Sequence, residues 1–155
     1  MLAWDDLKVE FAWDGSLRDI CVIDTSIADW RSALEMIHAG GYRLVFTIDG
    51  VEATAPDNLH QIFGQPRECS FLLAAFVDGV QLNCHFFSES EIEFDLDPRE
   101  VTDQADLAAI LGFMRMLAQV AAKPALLTPE NMQDFPILTC QPDGGVVHHP
   151  RPAAG

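Results

Sequence analysis

The sequence predicts an α+β domain: a mostly antiparallel β-sheet of five or six strands, built from hairpins and a meander and covered by two main helices. Three observations carry this. Residues 71–97 read as three successive strands around the turn Asp78-Gly79. Apolar residues between 103 and 122 recur at helical spacing. A second amphipathic stretch, residues 26–39, opens on a capping pattern and stops at Gly40-Gly41.

Taken in order, Leu7, Val9, Phe11 and Trp13 alternate with other residues, so residues 6–13 read as a strand and Asp14-Gly15 as a hairpin turn. Residues 17–24 are the expected partner, with Ile20, Val22 and Ile23 as apolar contacts. Ser26 and Asp29 resemble a capping box with Asp in place of the usual Glu. The helix that follows carries Trp30, Ala33, Leu34 and Ile37 on one stripe. His38 falls in its last turn, where a positive charge suits the helix dipole. Residues 42–48 form the next strand, Asp49-Gly50 turns it, and residues 51–53 pair back briefly. Pro56 opens a short helix expected to reach Gly64, with Leu59, Ile62 and Phe63 buried and His60 exposed.

The meander is the best-specified part. Pairing across Asp78-Gly79 sets Val77 against Val80, Ala75 against Leu82, Leu73 against Cys84 and Phe71 against Phe86. Residues 91–97 alternate strictly. A three-residue loop, Ser88-Glu89-Ser90, puts Ile92, Phe94 and Leu96 opposite Phe86, Cys84 and Leu82. The apolar faces of all three strands then agree, and a one-residue slip would destroy that agreement. The other face carries Gln81, Asn83 and His85 beside Asp97, Asp95 and Glu93. Leu72, Phe76 and Phe87 share that face, either as its apolar centre or beneath the first helix.

Asp97-Pro98 ends the meander. The long helix runs from about Asp103 to Ala122 and keeps Leu107, Ile110, Leu111, Met114, Leu117, Ala118 and Ala121 in register. Phe113, Met116 and Val120 widen its apolar stripe, so it should be buried on most sides and cover the oily side of the meander. Residues 125–127 are extended, Thr128-Pro129-Glu130 reads as a helix start, and residues 137–140 read as a last strand. The expected organisation is one domain, residues 1–140, and a loose tail, residues 141–155, rich in Pro, Gly and Ala.

The chain has 155 residues, 49% of them hydrophobic, and a formal charge of −15 from 24 acids against 9 bases. That balance argues against nucleic acid and anionic membrane as ligands and suits a basic protein partner, cation binding or plain solubility. No run is long enough for a membrane helix, and Met-Leu-Ala-Trp-Asp-Asp lacks the features of a signal peptide, so a cytoplasmic protein, monomer or homodimer, is expected. Cys21, Cys69, Cys84 and Cys140 are widely spaced and read as small hydrophobes rather than a disulfide framework or a zinc site. The adjacent tail pair His148-His149 makes a poor metal site.

There is no GxSxG, P-loop, GxGxxG, HExxH or CxxC motif. Cys84 and His85 are neighbours in a strand, so they point to opposite faces and cannot act as a nucleophile–base pair. What remains is the polar face of the meander, with His85 across from Glu93 and Asn83 across from Asp95. Asn83, His85, Glu91, Glu93, Asp95 and Asp97 are the expected partner-binding residues of a non-enzymatic domain that uses no cofactor and no metal. Two other readings stay open. One is a solvated face with no role. The other is a small enzyme or divalent-metal-binding domain, because a carboxylate beside an imidazole raises its pKa and several carboxylates can hold a cation.

Leu17-Arg18-Asp19-Ile20, Asp24-Thr25-Ser26, Asp29-Trp30 and Gly41-Tyr42-Arg43-Leu44 resemble the N-terminal half of some small bacterial immunity proteins, which neutralise secreted polymorphic toxins. Lys123-Pro124 with Leu127-Thr128-Pro129-Glu130-Asn131 is similar to a segment near their C-terminal end. The matching pieces amount to about a third of the chain. The resemblance implies a small acidic cytoplasmic inhibitor of a toxin-like protein, without catalysis, and assigns no particular binding residue.

Overall fold

The computed structural model describes residues 2–63 and 69–150. Its nine strands form a single antiparallel sheet. They are β1 (Arg18–Ile23), β2 (Arg43–Ile48), β3 (Val51–Glu52), β4 (Phe71–Val77), β5 (Val80–Ser88), β6 (Glu91–Leu96), β7 (Ala125–Pro129), β8 (Leu138–Cys140) and β9 (Val146–His148). The spatial order is β3-β2-β4-β5-β6-β1-β7-β8-β9. Four helices accompany them among the described residues: α1 (Trp4–Leu7), α2 (Ile27–Ala39), α3 (His60–Phe63) and α4 (Gln104–Ala121). The class is α+β, and the sheet is larger than the five or six strands expected.

The meander follows its expected register through Val77↔Val80, Ala75↔Leu82 and Leu73↔Cys84, and onward through Cys84↔Phe94, His85↔Glu93 and Asn83↔Asp95. The link between β5 and β6 differs. The ladder shifts between His85 and Ser88, and Ser88 pairs with Glu91, so a bulge plus a tighter turn replaces the three-residue loop.

Both long helices lie against the apolar side. Trp30 of α2 stacks on Phe86 at 5.1 Å, and Phe113 of α4 meets Phe94 edge-on at 5.1 Å. Leu73, Val80, Leu82, Ile92 and Leu96 complete that core with Leu107, Ile110, Met114 and Leu117. The capping box is present: Asp29 N–H donates to Ser26 Oγ, and Ser26 N–H to Asp29 Oδ2. Lys123 Nζ, just past α4, reaches the same Asp29 oxygen at 2.8 Å and ties the two helices together. α4 is capped by Asp103 and ends at Ala122 in the left-handed region, φ 53°. The next turn of helix is closed off by Pro124, which lacks the N–H to continue it.

Five expectations are corrected. Residues 6–13 are not a strand: α1 runs into a 3-10 turn, Lys8–Phe11. Leu7 and Phe11 are buried while Val9 and Trp13 are exposed, so the spacing that matters is four, not two. β1 therefore has no hairpin partner across Asp14-Gly15 and instead sits between β6 and β7. Residues 128–130 do not start a helix: Thr128 and Pro129 end β7, and a turn through Asn131 (φ 59°) follows. In the stretch expected as a loose tail, β9 pairs with β8, and His149 N–H donates to Ile137 O. The short helix begins at His60 rather than Pro56, and its expected end, Gly64, lies outside the described residues.

Cys21, Cys84 and Cys140 are buried, and all four cysteines are free. Burial pushes the Cys21 thiol up to about 12 and Cys140 to about 11, which keeps both protonated at neutral pH. No helix among the described residues is long and apolar enough to cross a membrane.

Candidate functional site

With the helices on one side, the other side of the sheet is open over its β2–β6 half. Arg43, Leu72, Phe76, Gln81, Asn83, His85, Glu93 and Asp95 stand on it, each at least partly exposed. The first helix does not cover Leu72, Phe76 or Phe87. Arg43 lies over the Phe76 ring at 4.5 Å, and Phe87 is 65% exposed.

The centre of this face is a linked chain of polar groups. Gln81 Nε2 donates to Asn83 Oδ1 (2.8 Å), and Asn83 Nδ2 donates to Asp95 Oδ1 (3.1 Å). His85 Nε2 meets the other oxygen of Asp95 at 2.5 Å. The imidazole also stacks parallel on Phe87 at 4.9 Å. The hydrogen bond to Asp95 holds the His85 pKa above its ordinary value, and the nearby charges of Asp95, Glu93 and Asp19 act the same way against partial burial.

The carboxylates expected to act together are distributed unequally. The side-chain carboxylate of Glu93 has no hydrogen-bond partner among the described residues, and burial, with the charges of Asp19 and Glu91, pushes its pKa up. Glu91 Oε1 accepts from Gln133 Nε2. Asp97 belongs to a different arrangement: it caps the short 3-10 turn Pro98–Glu100, and Arg99 donates to both its oxygens. Its charge is matched, and Arg99 in turn lies over Trp13 at 3.8 Å.

A member that sequence reasoning missed is Asp19. It stands opposite Asp95 in the β1–β6 ladder, is 4% exposed, and accepts from Asn131 N–H at 2.8 Å. Burial raises its pKa, with the charges of Asp95 and Glu130 adding to the effect and the Asn131 bond opposing it. The loop from 130 to 137 is thus pinned at Asp19 and Glu91 and covers this part of the otherwise open face. The signal that could have placed Asp19 is the run Ile20-Cys21-Val22-Ile23. An apolar stretch without alternation marks a strand covered on both faces, which belongs in the middle of a sheet.

His85 and Phe87 also line a cleft of about 520 Å³ with Cys69, Thr47 and Leu72. Among the described residues no hydrogen bond joins Cys69 to His85, and the Nε2 of His85 is already held by Asp95. Nor do three His, Cys, Asp or Glu side chains converge among them in a way that could hold a metal ion. His148 and His149 separate: His149 Nε2 pairs with Thr139 Oγ1 at 2.9 Å, while His148 stands opposite Leu138.

No protein-family model, curated protein or solved structure matches the chain.

Proposed function

We propose that this chain is a non-enzymatic protein-binding domain that captures a basic protein on the open, acidic side of its sheet. The observation that carries this reading is the placement of Glu93. It is a carboxylate without a hydrogen-bond partner among the described residues, set between Asp95, Asp19 and Glu91 on a sheet face that no helix covers. Burial strips part of the solvation from such a group and its like-charged neighbours repel it, and a cation from outside would relieve both. The exposed ring of Phe87, stacked on His85, supplies apolar area of the kind that affinity requires.

The acidic balance of the whole chain, −15, would speed encounter with a basic partner and make the rate steeply salt-dependent. Neutralisation of a toxin is the specific form of this reading. It rests on the resemblance of residues 17–20, 24–26, 29–30, 41–44, 123–124 and 127–131 to immunity proteins.

The experiment uses a partner captured from the source cells and association rates measured at low and high salt. Glu93→Lys should slow association by about tenfold at low salt without lowering the melting temperature much. Asp97→Asn, which removes a charge already matched by Arg99, should change the rate far less. Equal rates and affinities for wild type and Glu93→Lys would sink the proposal.

A further inference from the structure

The loop from 130 to 137 joins β7 to β8 and crosses the acidic part of the open face as a strap. Two side-chain bonds tie it to that face. Asn131 N–H donates to Asp19 Oδ2 at 2.8 Å, and Gln133 Nε2 donates to Glu91 Oε1. We propose, on the reading that this face receives a basic protein, that the strap is a proton-controlled cover of the site: it is closed while Asp19 beneath it holds a proton and is released when the carboxylates there are all ionised.

The strap has little apolar anchorage of its own. Met132 and Phe135 are 44% and 65% exposed. The bonds from Met132 N–H to Pro129 O and from Phe135 N–H to Met132 O stay local. Firm packing resumes at Ile137, which is buried and donates its N–H to Leu127 O. A segment that buries so little apolar surface opens at low cost. It also brings charge with it: Glu130 and Asp134 lie within residues 130–137, which contain no lysine or arginine.

Every element around Asp19 bears on its proton. β6 sets Asp95 directly opposite, with Glu93 and Glu91 further along the same face. β7 offers Thr128, which does not titrate. Cys21, two residues on in β1, is a thiol pushed up to about 12 and stays neutral. β5 contributes His85 and the strap contributes Glu130. Arg18, the neighbour in sequence, points to the other face and is engaged by carbonyls of the N-terminal segment. Burial among carboxylates favours the protonated form of a carboxyl group. At Asp19 burial is the largest influence and raises the pKa. The Asn131 bond opposes it, the charges of Asp95 and Glu130 reinforce it, and His85 opposes it least. Opening removes the cover, Glu130 and the Asn131 bond together, and burial outweighs that bond. The closed strap therefore binds the Asp19 proton more tightly than the open one. It closes as pH falls and opens as pH rises through the raised value. Once open, it adds Asp19 to the carboxylates that meet a basic partner.

The test needs no partner. In the isotope-labelled full chain, hydrogen exchange of the Asn131 amide, expressed as a protection factor, is followed from the ordinary carboxylate range to the alkaline side. Protection should fall by at least about threefold as pH rises, and the backbone heteronuclear NOE at Met132 and Phe135 should fall with it. Asp19→Asn keeps an acceptor for the Asn131 N–H and cannot ionise, so both readouts should become flat against pH. Glu91→Ala removes the second tie and should lower Asn131 protection by at least about threefold at every pH, with the pH response kept. Protection that rises with pH would mean that the ionised carboxylate simply makes the stronger bond, and overturns the proposal. So does a change in protection without a change in the NOE at Met132 and Phe135, or a pH response that survives Asp19→Asn. Because Glu93 makes no tie to the strap, a strap that ignores pH, with association still slowed by Glu93→Lys, removes the cover and leaves the acidic-face reading standing.

Discussion

His85 stands directly opposite Glu93 in the β5–β6 ladder, yet its Nε2 bonds to Asp95, its diagonal neighbour, at 2.5 Å. The parallel stack on Phe87 accompanies this orientation of the ring, and Glu93 is left unengaged. Because the bond raises the His85 pKa, the stability it supplies is full below the ordinary histidine range. That stability is lost as pH rises through the raised value. Asp95→Asn should therefore lower the His85 pKa and cost about 1–2 kcal/mol in mildly acidic solution, with a smaller cost at alkaline pH. Proton NMR titration of the imidazole, with melts at both extremes, measures this. A His85 pKa that responds to Glu93→Gln more than to Asp95→Asn would mean that the ladder neighbour is the real partner.

Arg18 holds the N-terminal segment in place. Its buried guanidinium satisfies carbonyls from Glu10, Ala12, Ser16 and Leu17, in a stretch that no sheet ladder pairs. Arg18→Met keeps the stem and removes every donor, so those carbonyls lose their partner together. The expected cost is about 3 kcal/mol, read by denaturant unfolding. Arg99→Ala, on an exposed guanidinium over Trp13, should be much milder. Similar losses in the two variants would show that Arg18 is not the clamp for residues 4–16.

The parts of the fold legible in the sequence are those where two independent local signals agree. In the meander, Asp78-Gly79 fixed the turn and strict alternation in residues 91–97 fixed the faces, so the pairings His85↔Glu93 and Asn83↔Asp95 follow. Alternation placed Phe86 inward and Phe87 outward, as the structure has them, but the bulge after His85 was not legible, because it shifts the pairing without changing which faces the two rings take. At the N-terminus the signals conflicted. Leu7, Val9, Phe11 and Trp13 satisfy a period of two, while Leu7 and Phe11 alone satisfy a spacing of four, and tertiary burial chose the second. That one error moved β1 away from β6 and hid Asp19 from the acidic cluster. The side-chain bonds that pin the loop at Asn131 and Gln133 join residues more than forty positions apart, which local pattern cannot reach.

The C-terminal strand allows a direct test. Residues 141–155 read as a dispensable tail, but β9 pairs with β8, and His149 adds a backbone bond to Ile137 and a side-chain bond to Thr139. Deleting residues 145–155 should cost about 2 kcal/mol, from several ladder bonds and the partial burial of Val146. That corresponds to a fall of roughly 5 °C in the melting temperature of a chain this size. An unchanged melt would show that β9 adds nothing to the sheet.

The acidic cluster also sets how stability depends on pH. Burial and like charges raise the pKa values of Asp19 and Glu93 above the ordinary carboxylate values of 3.8 and 4.5. The unfolded chain releases these protons at lower pH than the folded one. Folding is therefore penalised as pH rises through the raised values, and the penalty persists at neutral pH. Asp14, Asp29 and Asp97 are shifted the opposite way, and their contribution is lost only as pH falls below the ordinary carboxylate range. Asp19, Glu93 and His85 all act in one direction, so the melting temperature should climb as pH is lowered from the alkaline side toward the ordinary carboxylate range. General relief of the −15 charge would produce a similar trend. The double substitution Asp19→Asn with Glu93→Gln separates the two causes. If the local cluster governs, the double mutant melts higher than wild type at neutral pH and its curve against pH is flatter. A double mutant whose curve runs parallel to wild type would assign the effect to overall charge and remove the strain attributed to Glu93.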